Sequence, residues 1–423
     1  MSGGTETQKG RVMSGTKRYI GIRHRIKQTA KGDAHPTEVC IVENGQSKVI
    51  KLEDEQAELD FLLGRLPVKW RVVKDGENFS AFPEHHILLG EKDKPTHVPS
   101  DYEGFKGGDV VGMPLGGSGD YFSYALARRG EEIGASVCRI PPFLLKERRG
   151  HEDTTSDAPL LAELMKTESS LFYQVYLRER AQIGVRGLLR VRIDAMKARI
   201  ACEQRLRQSF VGEIFCNPNG GYPEGSLEKI FDLRKANDGV LIALQSEETS
   251  AVKKLTKAVE ELPIYKVLHE EVSGLGPMIA TRLICAVQDI RRFSTAPKLK
   301  KFCGVHVLPD GRFPRSRIGE ICSWTPDARQ ALYLLADQFN RQAKAGTKWG
   351  NYLILCKKRL RDKHPVKVQI EKTVDGKKKM VWTYTDAHIH KMGIWRCLTR
   401  FVEWLFVRWW QLEQETAKAT ETK

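Results

Sequence analysis

The sequence lacks the features that mark secreted and membrane proteins. Its 9 cysteines are scattered, and no two of them stand in C-x-x-C spacing. This pattern argues against a disulfide framework and against a structural zinc site, so we expect reduced thiols. The chain opens without a signal peptide, and no apolar run reaches the length of a membrane span. These absences predict a cytoplasmic protein that has no membrane partner.

The N-terminal part also lacks a net charge, although the chain as a whole is strongly basic. Residues 1–250 carry 36 Lys+Arg and 36 Asp+Glu, whereas residues 251–423 carry 33 and 17, which places the whole excess of +16 in the C-terminal part. A basic excess of this size is typical of proteins that bind a polyanion, most often nucleic acid. We therefore expect the polyanion surface in the C-terminal part.

The first half of the chain has the alternation of an α/β domain. Residues 1–16 are rich in Gly, Ser, Thr and Lys and predict a loose tail, and the stretch "KRYIGIRH" then predicts a first strand over 17–25. Asn44-Gly45 stands between two short β-type stretches and predicts a hairpin. Three prolines, Pro83, Pro95 and Pro99, predict a loop or insertion around 74–107. The predicted domain ends at residue 158.

A strand, a glycine-rich turn, a helix and another strand follow within the same domain. The strand is predicted over 109–113, the turn in "GGSG" (116–119), the helix over 121–129 and the second strand in "IGASVCRI" (133–140). The turn after such a strand is an ordinary place for a functional site. No Walker lysine follows the glycines, so the sequence favours a plain turn over a phosphate loop.

A helical stalk is predicted over 159–260. From residue 159 to residue 210 the chain is almost free of Gly and Pro, and apolar residues recur at intervals of three and four. This spacing predicts one or two long helices, a helical hairpin or a coiled coil. Such a stalk commonly mediates self-association, so a dimer or tetramer is expected.

The basic C-terminal domain, predicted over 261–423, opens with a helix-hairpin-helix signature, "VSGLGP" (272–277). Gly274 and Gly276 allow the tight turn, and Pro277 suits the first position of the second helix. The backbone N–H groups at the start of that helix then point toward a phosphate. Arg282, Arg291 and Arg292 would add positive charge. The alternative is an ordinary helical corner capped by glycine.

A second basic segment follows in "PDGRFPRSRIGE" (309–320). Its arginines are Arg312, Arg315 and Arg317, and Ser316 supplies the one hydroxyl group among them. We expect these arginines to contact nucleic acid, and the alternative is a solvated surface loop.

Several segments together resemble the IS-one-ten family of insertion-sequence transposases, relatives of the Piv DNA invertases. The stretch "GLGPMIATRLICAVQDIRRFSTAPKLKKFCGV" (274–305) looks like the family's G-x-G-P, helix, "GDIRRF" and x-Y-x-G pattern. Earlier pieces are similar in the same order. "YIGIR" resembles the family's "VGID", "VVGMPLGGSGDY" resembles "MEATGGY", and "HEDTTSDAPLLAEL" resembles "KTDxxDAxxLA". The resemblance covers nearly the whole chain and is strongest over 270–335.

The resemblance implies a RuvC-like (RNase H-like) N-terminal domain over 17–158, a coiled-coil stalk and a C-terminal transposase-like domain. It further implies four acidic ligands for Mg²⁺, a nucleophilic serine, DNA as the partner and a structured RNA as a guide. The chemistry is consistent, because two divalent ions in a carboxylate cage stabilise the attacking and leaving oxygens. A serine nucleophile would hold the cleaved strand covalently.

The sequence departs from the family pattern at the catalytic positions. Arg23 replaces the first aspartate, and Pro114 replaces the glutamate. The paired acids, Asp153 and Asp157, stand four residues apart, whereas the family spaces them three apart. The family's serine is expected near "PDGRF" (309–313), and the nearest hydroxyl there belongs to Ser316. A cationic Arg23 would repel a metal ion, or it would pair with one of the two aspartates and replace the ion.

These departures leave three hypotheses. The first is an active, divergent recombinase that uses Asp153, Asp157 and Ser316 with Mg²⁺, with Asp120 or Asp33 as a further ligand. The second is a catalytically inactive derivative that only binds nucleic acid. The third is a scaffold held together by its stalk, which leaves the uneven charge unexplained.

Overall fold

The computed structural model describes residues 17–25, 35–151, 153–316, 322–374 and 377–421. The chain forms two compact units, Met1–Leu177 and Arg178–Lys423. The mixed α/β character predicted from the sequence is confirmed. All 9 cysteines are free thiols. None of the described helices combines the length and the apolar character that a membrane span requires.

The first unit is built on a six-stranded sheet with helices on both faces. Its elements are β1 (Tyr19–Arg23), β2 (Thr37–Glu43), β3 (Gln46–Leu52), α1 (Glu55–Leu62), β4 (Leu66–Val72), β5 (Leu88–Leu89), β6 (Pro95–Glu103), β7 (Val110–Pro114), α2 (Asp120–Ile133), β8 (Ser136–Ile140), α3 (Pro142–Arg149), α4 (Asp157–Thr167) and β9 (Tyr173–Gln174). The sheet order is β3-β2-β1-β7-β8-β9. β1, β7 and β8 run parallel, so their carboxyl ends meet at one edge of the sheet.

The predicted hairpin and the predicted strand–helix–strand alternation are both confirmed. β2 and β3 pair antiparallel around Asn44-Gly45, and both turn residues have positive φ angles of 51° and 79°. This is the backbone that a two-residue hairpin loop requires. β7, α2 and β8 follow the predicted strand, helix and strand to within a few residues.

Gly21 in the middle of β1 determines where α4 crosses the sheet. A Cβ atom at this position would overlap the carbonyl oxygen of Ala158 and the amide nitrogen of Ala162. The helix backbone therefore lies directly on the strand, which is possible because glycine has no side chain. Ala158 and Ala162 are fully buried beside Cys40 of the neighbouring strand. This close approach brings the first turn of α4 to the carboxyl end of β1.

Of the two alternatives predicted around 74–107, a loop or an insertion, the loop is wrong for the last part, because β6 lies there. β6 is the central strand of a separate three-stranded sheet in the order β4-β6-β5. It tolerates proline because Pro95 is its first residue, while Pro99 lies opposite Trp70 beside two register shifts in β4. Irregular pairing of this kind accommodates a residue that has no N–H donor.

The sequence predicts one or two long helices over 159–210, and the structure has two helices there that are separated by a short strand. α4 ends at Thr167, and β9 follows before the next helix begins. The apolar residues that continued the helical spacing include Phe172, which is 8% exposed and packs in the sheet core with Leu161 and Met165. Tertiary packing therefore overrides the local helical periodicity here. Residues 159–177 of the predicted stalk lie in the first unit.

The second unit is almost entirely helical. Its elements are α5 (Leu177–Phe215), α6 (Leu227–Asn237), α7 (Gly239–Glu260), α8 (Pro263–Glu271), α9 (Pro277–Val287), α10 (Ala296–Phe302), α11 (Pro326–Arg341), α12 (Lys348–Lys363), β10 (Val368–Val374), β11 (Lys377–Thr383) and α13 (Asp386–Glu421). β10 and β11 pair antiparallel and form a hairpin. Residues 375–376, between the two strands, lie outside the described residues.

The helix α5 runs antiparallel to α6 and α7. Ion pairs join Arg199 to Glu248, and Lys235 to Glu203, so that later positions of α5 meet earlier positions of the returning helices. Farther on, α9, α11 and α13 surround a large apolar core in which Phe401 and Trp409 are 0% and 1% exposed. Trp409 is therefore a core residue.

Candidate functional site

Arg23 ends β1 and lies directly opposite Glu38 on β2. Its Nη2 atom is 3.1 Å from Glu38 Oε2, and Arg23 is only 5% exposed. Because side chains alternate along a strand, Arg23 shares a face with Gly21, on which α4 lies. Arg23 consequently occupies the place expected for a metal-binding aspartate, and its ion-pair partner is a glutamate of the adjacent strand.

Asp157 is the first residue of α4 and faces the same end of the sheet. It is 4% exposed, and its Oδ1 atom lies 2.8 Å from Arg149 Nε at the end of α3. Burial raises the pKa of Asp157, while the positive charges of Arg149 and Arg23 act in the opposite direction. Arg23 therefore acts on Asp157 electrostatically, although its ion pair is with Glu38.

Asp153 has different surroundings from Asp157. It is exposed in the loop before α4, where its carboxylate accepts hydrogen bonds from the N–H of Thr155 at 3.0 Å and from Thr155 Oγ1 at 2.8 Å. These two donors hold the pKa of Asp153 below its usual range. The side chain thus closes a local turn.

Pro114 ends β7, and the nearby Asp120 begins α2. The Asp120 carboxylate is buried and forms an ion pair with Arg139 of β8, which is buried as well. This is a third arginine–carboxylate pair near the carboxyl ends of the parallel strands. Asp33, the other acid considered from the sequence, lies outside the described residues.

This donor set does not fit the Mg²⁺ cage that the resemblance implies. A divalent cage concentrates negative charge, whereas here Arg23, Arg139 and Arg149 neutralise carboxylates at the sheet edge. Proline offers no side-chain ligand at position 114. Within the described part of the chain, the one group of three His, Cys, Asp or Glu side chains with converging ligand atoms lies elsewhere, at Asp60, His85 and His86.

The turn between α8 and α9 has the geometry that its glycines predict. Gly274 has a φ angle of +85°, and a Cβ atom there would also overlap the side chain of Gln342. Gly276 is the N-cap residue of α9, and Pro277 is its first residue. Because the first amides of a helix have no intrahelical acceptor, this turn presents N–H donors that suit a phosphate oxygen.

The three arginines predicted to accompany this turn have different surroundings. Arg282 is half-buried, and its Nη1 atom donates to Gln330 at 3.3 Å. Arg292 is half-buried as well, donates to the Val287 carbonyl oxygen and stacks over Phe293 and Phe302. Both side chains keep a partly exposed surface.

Arg291 differs from the other two because it is 7% exposed and surrounded by carboxylates. Its Nη2 atom lies 2.7 Å from Asp289 and 3.2 Å from Glu179, and its Nη1 atom lies 3.7 Å from Glu413. Burial alone would lower the pKa of Arg291, but these carboxylates raise it. The guanidinium is thus engaged inside the unit and offers little surface to a phosphate.

The loop predicted to carry a nucleophile is exposed. Arg312, Arg315 and Ser316 all lie on the surface, and Arg312 is close to Asp310 at 3.7 Å. The Cys322 thiol donates to Ser316 Oγ at 3.5 Å. Among the described residues, no histidine, lysine or carboxylate hydrogen-bonds this hydroxyl, so a general base for Ser316 is missing there. Arg317 lies outside the described residues.

A basic cleft in the second unit was missed by the sequence reasoning. It measures about 480 Å³ and lies between α12, α13 and the segment around Phe313. Its cations come from both helices, and its apolar lining comes from α12 and from the segment around Phe313. The residues that define this basic cleft are Val307, Phe313, Tyr352, Arg359, Lys363, Arg396, Arg400 and Glu403.

The charge of the basic cleft is largely uncompensated. Arg359, Lys363 and Arg396 are exposed, and none of them has an ion-pair partner among the described residues. Glu403 is the one acid of the lining, and it is already paired with Lys300 at 2.6 Å and Arg400 at 2.8 Å. Cations beside aromatic rings suit a nucleic-acid strand, because phosphates pair with the cations and bases stack on the rings.

Comparison with known proteins locates a family signature in the second unit. Residues 268–348 match the family model described as Transposase IS116/IS110/IS902 family. No curated protein matches the chain. The matched segment runs from the end of α8 to the start of α12 and contains the glycine turn and Ser316. This segment of the chain is therefore similar to the insertion-sequence transposases of that family.

Proposed function

We propose that this chain is a transposase-like protein whose second unit binds nucleic acid through the basic cleft. The observation that carries this proposal is the cluster of Arg359, Lys363 and Arg396, which are exposed and lack acidic partners among the described residues. The uneven charge of the chain agrees with it. The glycine turn before α9 would supply a second phosphate contact as a helix-hairpin-helix, together with Arg282 and Arg292.

The first unit is proposed to be a RuvC-like, RNase H-like domain. The support is its strand order, in which an antiparallel β1-β2-β3 meander is followed by two strands parallel to β1, with α4 lying on β1. The antiparallel arrangement of α5 with α6 and α7 supports a helical stalk, for which we propose a coiled-coil role in forming a dimer or tetramer.

We propose that the RNase H-like edge binds no catalytic metal and that the chain is the nucleic-acid-binding derivative of a recombinase. The support is the set of ion pairs that involve Arg23, Arg139 and Arg149. In a buried site these pairs satisfy charges that a metal would otherwise neutralise. We further propose that the protein is cytoplasmic and binds DNA. A structured RNA is proposed as an additional partner.

Strand cleavage is the second candidate function, and the family match favours it. In that case Asp153 and Asp157 would bind Mg²⁺, and Ser316 would attack the phosphate. The test is incubation of the chain with DNA that carries the element's ends, with Mg²⁺ or Mn²⁺. A covalent protein–DNA adduct that Ser316→Ala abolishes would support this candidate and contradict the binding-only proposal.

The binding proposal is tested by the fluorescence anisotropy of labelled duplex DNA titrated with the full chain at several salt concentrations. We expect the logarithm of the affinity to fall linearly with the logarithm of salt concentration, because bound cations release counterions. Unlabelled structured RNA and duplex DNA as competitors distinguish the two nucleic acids. Salt-insensitive binding, or no binding below about 100 µM at low salt, would overturn the proposal.

A further inference from the structure

The first unit holds a group of side chains that the proposed function does not use. Asp60 lies on α1, and His85 and His86 lie in a short helical turn, Glu84–His86, between β4 and β5. The Nε2 atoms of both histidines point at the same oxygen, Asp60 Oδ2, from 2.9 Å and 3.0 Å. We propose that Asp60, His85 and His86 bind a divalent transition-metal ion, and that Zn²⁺ suits this site best.

The ligand chemistry supports the choice of ion. Two imidazoles and one carboxylate form a borderline donor set that prefers Zn²⁺ and its first-row neighbours to Mg²⁺. A tetrahedral Zn²⁺ with bonds of about 2.0–2.1 Å separates its ligand atoms by about 3.3 Å. The observed separations of 2.9 Å and 3.0 Å are a few tenths of an ångström shorter. Small side-chain rotations would therefore admit the ion.

The surroundings of Asp60 orient its carboxylate for such a role. Arg65 Nε and Gln56 Nε2 each donate to Asp60 Oδ1 at 3.3 Å, which directs Oδ2 toward the two histidines. Contacts of this kind hold a metal-binding carboxylate in one orientation. Asp60 and His86 are 3% and 2% exposed, whereas the His85 side chain is 38% exposed. The site thus has one open side, where a water molecule would complete four ligands.

The position of the site indicates what the ion would do. The neighbour of Asp60, Phe61, is fully buried in the core of the six-stranded sheet. The histidines belong to the segment that joins β4 to β5 of the small sheet, and the His86 ring lies 5.7 Å from that of Tyr102 on β6. A bound ion would therefore fasten the small sheet to α1. Sites that join two chain segments in this way commonly contribute to folding.

The alternative to a metal site is that the two histidines only hydrogen-bond to Asp60. A zinc titration distinguishes the metal site from this alternative. The full chain is freed of metal with EDTA, desalted into a thiol-free reductant, and titrated with ZnCl₂ against a chromophoric chelator. We expect the wild type to bind one Zn²⁺ per chain at this site. The affinity of His85→Ala for Zn²⁺ should be at least tenfold lower. CoCl₂ should give the visible absorption of a four-coordinate ion in the wild type.

His97→Ala provides the matched control, because His97 is exposed on β6 of the same small sheet and lies outside the group. This variant should bind Zn²⁺ as the wild type does. Asp60→Asn keeps the size of the side chain but removes its charge and replaces one acceptor oxygen by an NH2 donor, so it should lose the ion too. Zn²⁺ should raise the unfolding temperature of the wild type and of His97→Ala, and not that of His85→Ala. Equal Zn²⁺ binding by wild type and His85→Ala, or no binding by the wild type, would overturn the proposal.

Discussion

Arg23 and Glu38 face each other across β1 and β2, with 3.1 Å between Nη2 and Oε2, at the strand end where the resembling family carries a metal-binding aspartate. Arg23 is 5% exposed on the strand face that α4 covers, the Glu38 side chain is 16% exposed, and the charge of Arg23 acts to lower the pKa of Asp157. An arginine thus supplies at this edge the positive charge that a metal ion would supply in a cage. We interpret the pair as a structural replacement of metal ligation.

Replacement of Arg23 by a neutral side chain of similar length should destabilise the first unit. Arg23→Met leaves Glu38 and Asp157 buried with less compensating charge, and loss of one partner of a buried pair costs about 3–5 kcal/mol. Urea denaturation at pH 7 measures this loss. The control is Arg129→Met, whose partly exposed pair with Glu132 should contribute less than about 1 kcal/mol. Equal stability of the two variants would contradict the structural role of Arg23.

Gly21→Ala should be among the most damaging small substitutions in the first unit. The added methyl group would overlap backbone atoms of Ala158 and Ala162, so α4 must move away from β1. Overpacking of this kind costs about 1–3 kcal/mol, and more where the obstacle is backbone. Thermal unfolding provides the measurement. Gly184→Ala in α5 is the control, since nothing lies within 4 Å of its added Cβ atom, and it should be neutral or slightly stabilising.

The ion-pair cluster around Glu103 predicts a specific loss of stability in acid. Burial alone would raise the pKa of Glu103, but the Gly104 N–H, Lys106 and Arg18 hold it below the ordinary value of 4.5. Because the folded-state pKa is depressed, the stabilisation is complete above pH 4.5 and is lost as the pH falls through the folded value. Glu103→Gln should therefore be less stable than the wild type at pH 7, by roughly 1–2 kcal/mol, and this difference should narrow as the pH falls below 4.5. A gap that stays constant from pH 7 to pH 3 would show that Glu103 has no such role.

Substitutions of Arg291 and Arg282 should distinguish a role in folding from a role in DNA binding. Arg291→Met leaves the carboxylates of Glu179, Asp289 and Glu413 without their shared cation, so we expect a loss of about 3–5 kcal/mol in the stability of the second unit. Arg282→Ala should leave unfolding nearly unchanged and weaken DNA binding by a small factor. The stability of both variants is measured by urea denaturation, and their affinity for DNA is measured by fluorescence anisotropy. A stable Arg291→Met variant with strongly weakened DNA binding would instead support the phosphate contact predicted from the sequence.

The sequence predicts local structure well where the signal is local. The Asn44-Gly45 turn and the helix after Gly276 each follow from a few adjacent residues. β6 is not predicted from the sequence, because its prolines argue against a strand. Irregular pairing with β4 tolerates these prolines, and this pairing is not visible in the sequence of β6 alone. The spacing of Phe172 within 159–210 predicts a helix, whereas packing places its side chain in the core beside β9.

Sites formed by distant residues could not be predicted in the same way. Arg359 and Arg396 are separated by the β10–β11 hairpin, so their convergence depends on how α12 packs against α13. Asp60 and His85 are 25 residues apart and belong to no common motif. The sequence shows that an arginine, Arg23, replaces the aspartate expected at this strand end. Its partner Glu38 is identifiable only from the strand register.

Nucleic-acid binding by the basic cleft is tested most directly by two double variants that have the same net charge. Arg359→Ala/Arg396→Ala removes two cations from the cleft, and Arg234→Ala/Arg341→Ala removes two exposed arginines outside it. The measurement is the slope of log affinity for duplex DNA against log salt concentration. We predict that the cleft variant loses about two units of slope and binds at least tenfold more weakly, while the control stays near the wild type. Equal slopes and affinities for the two variants would contradict nucleic-acid binding by the cleft.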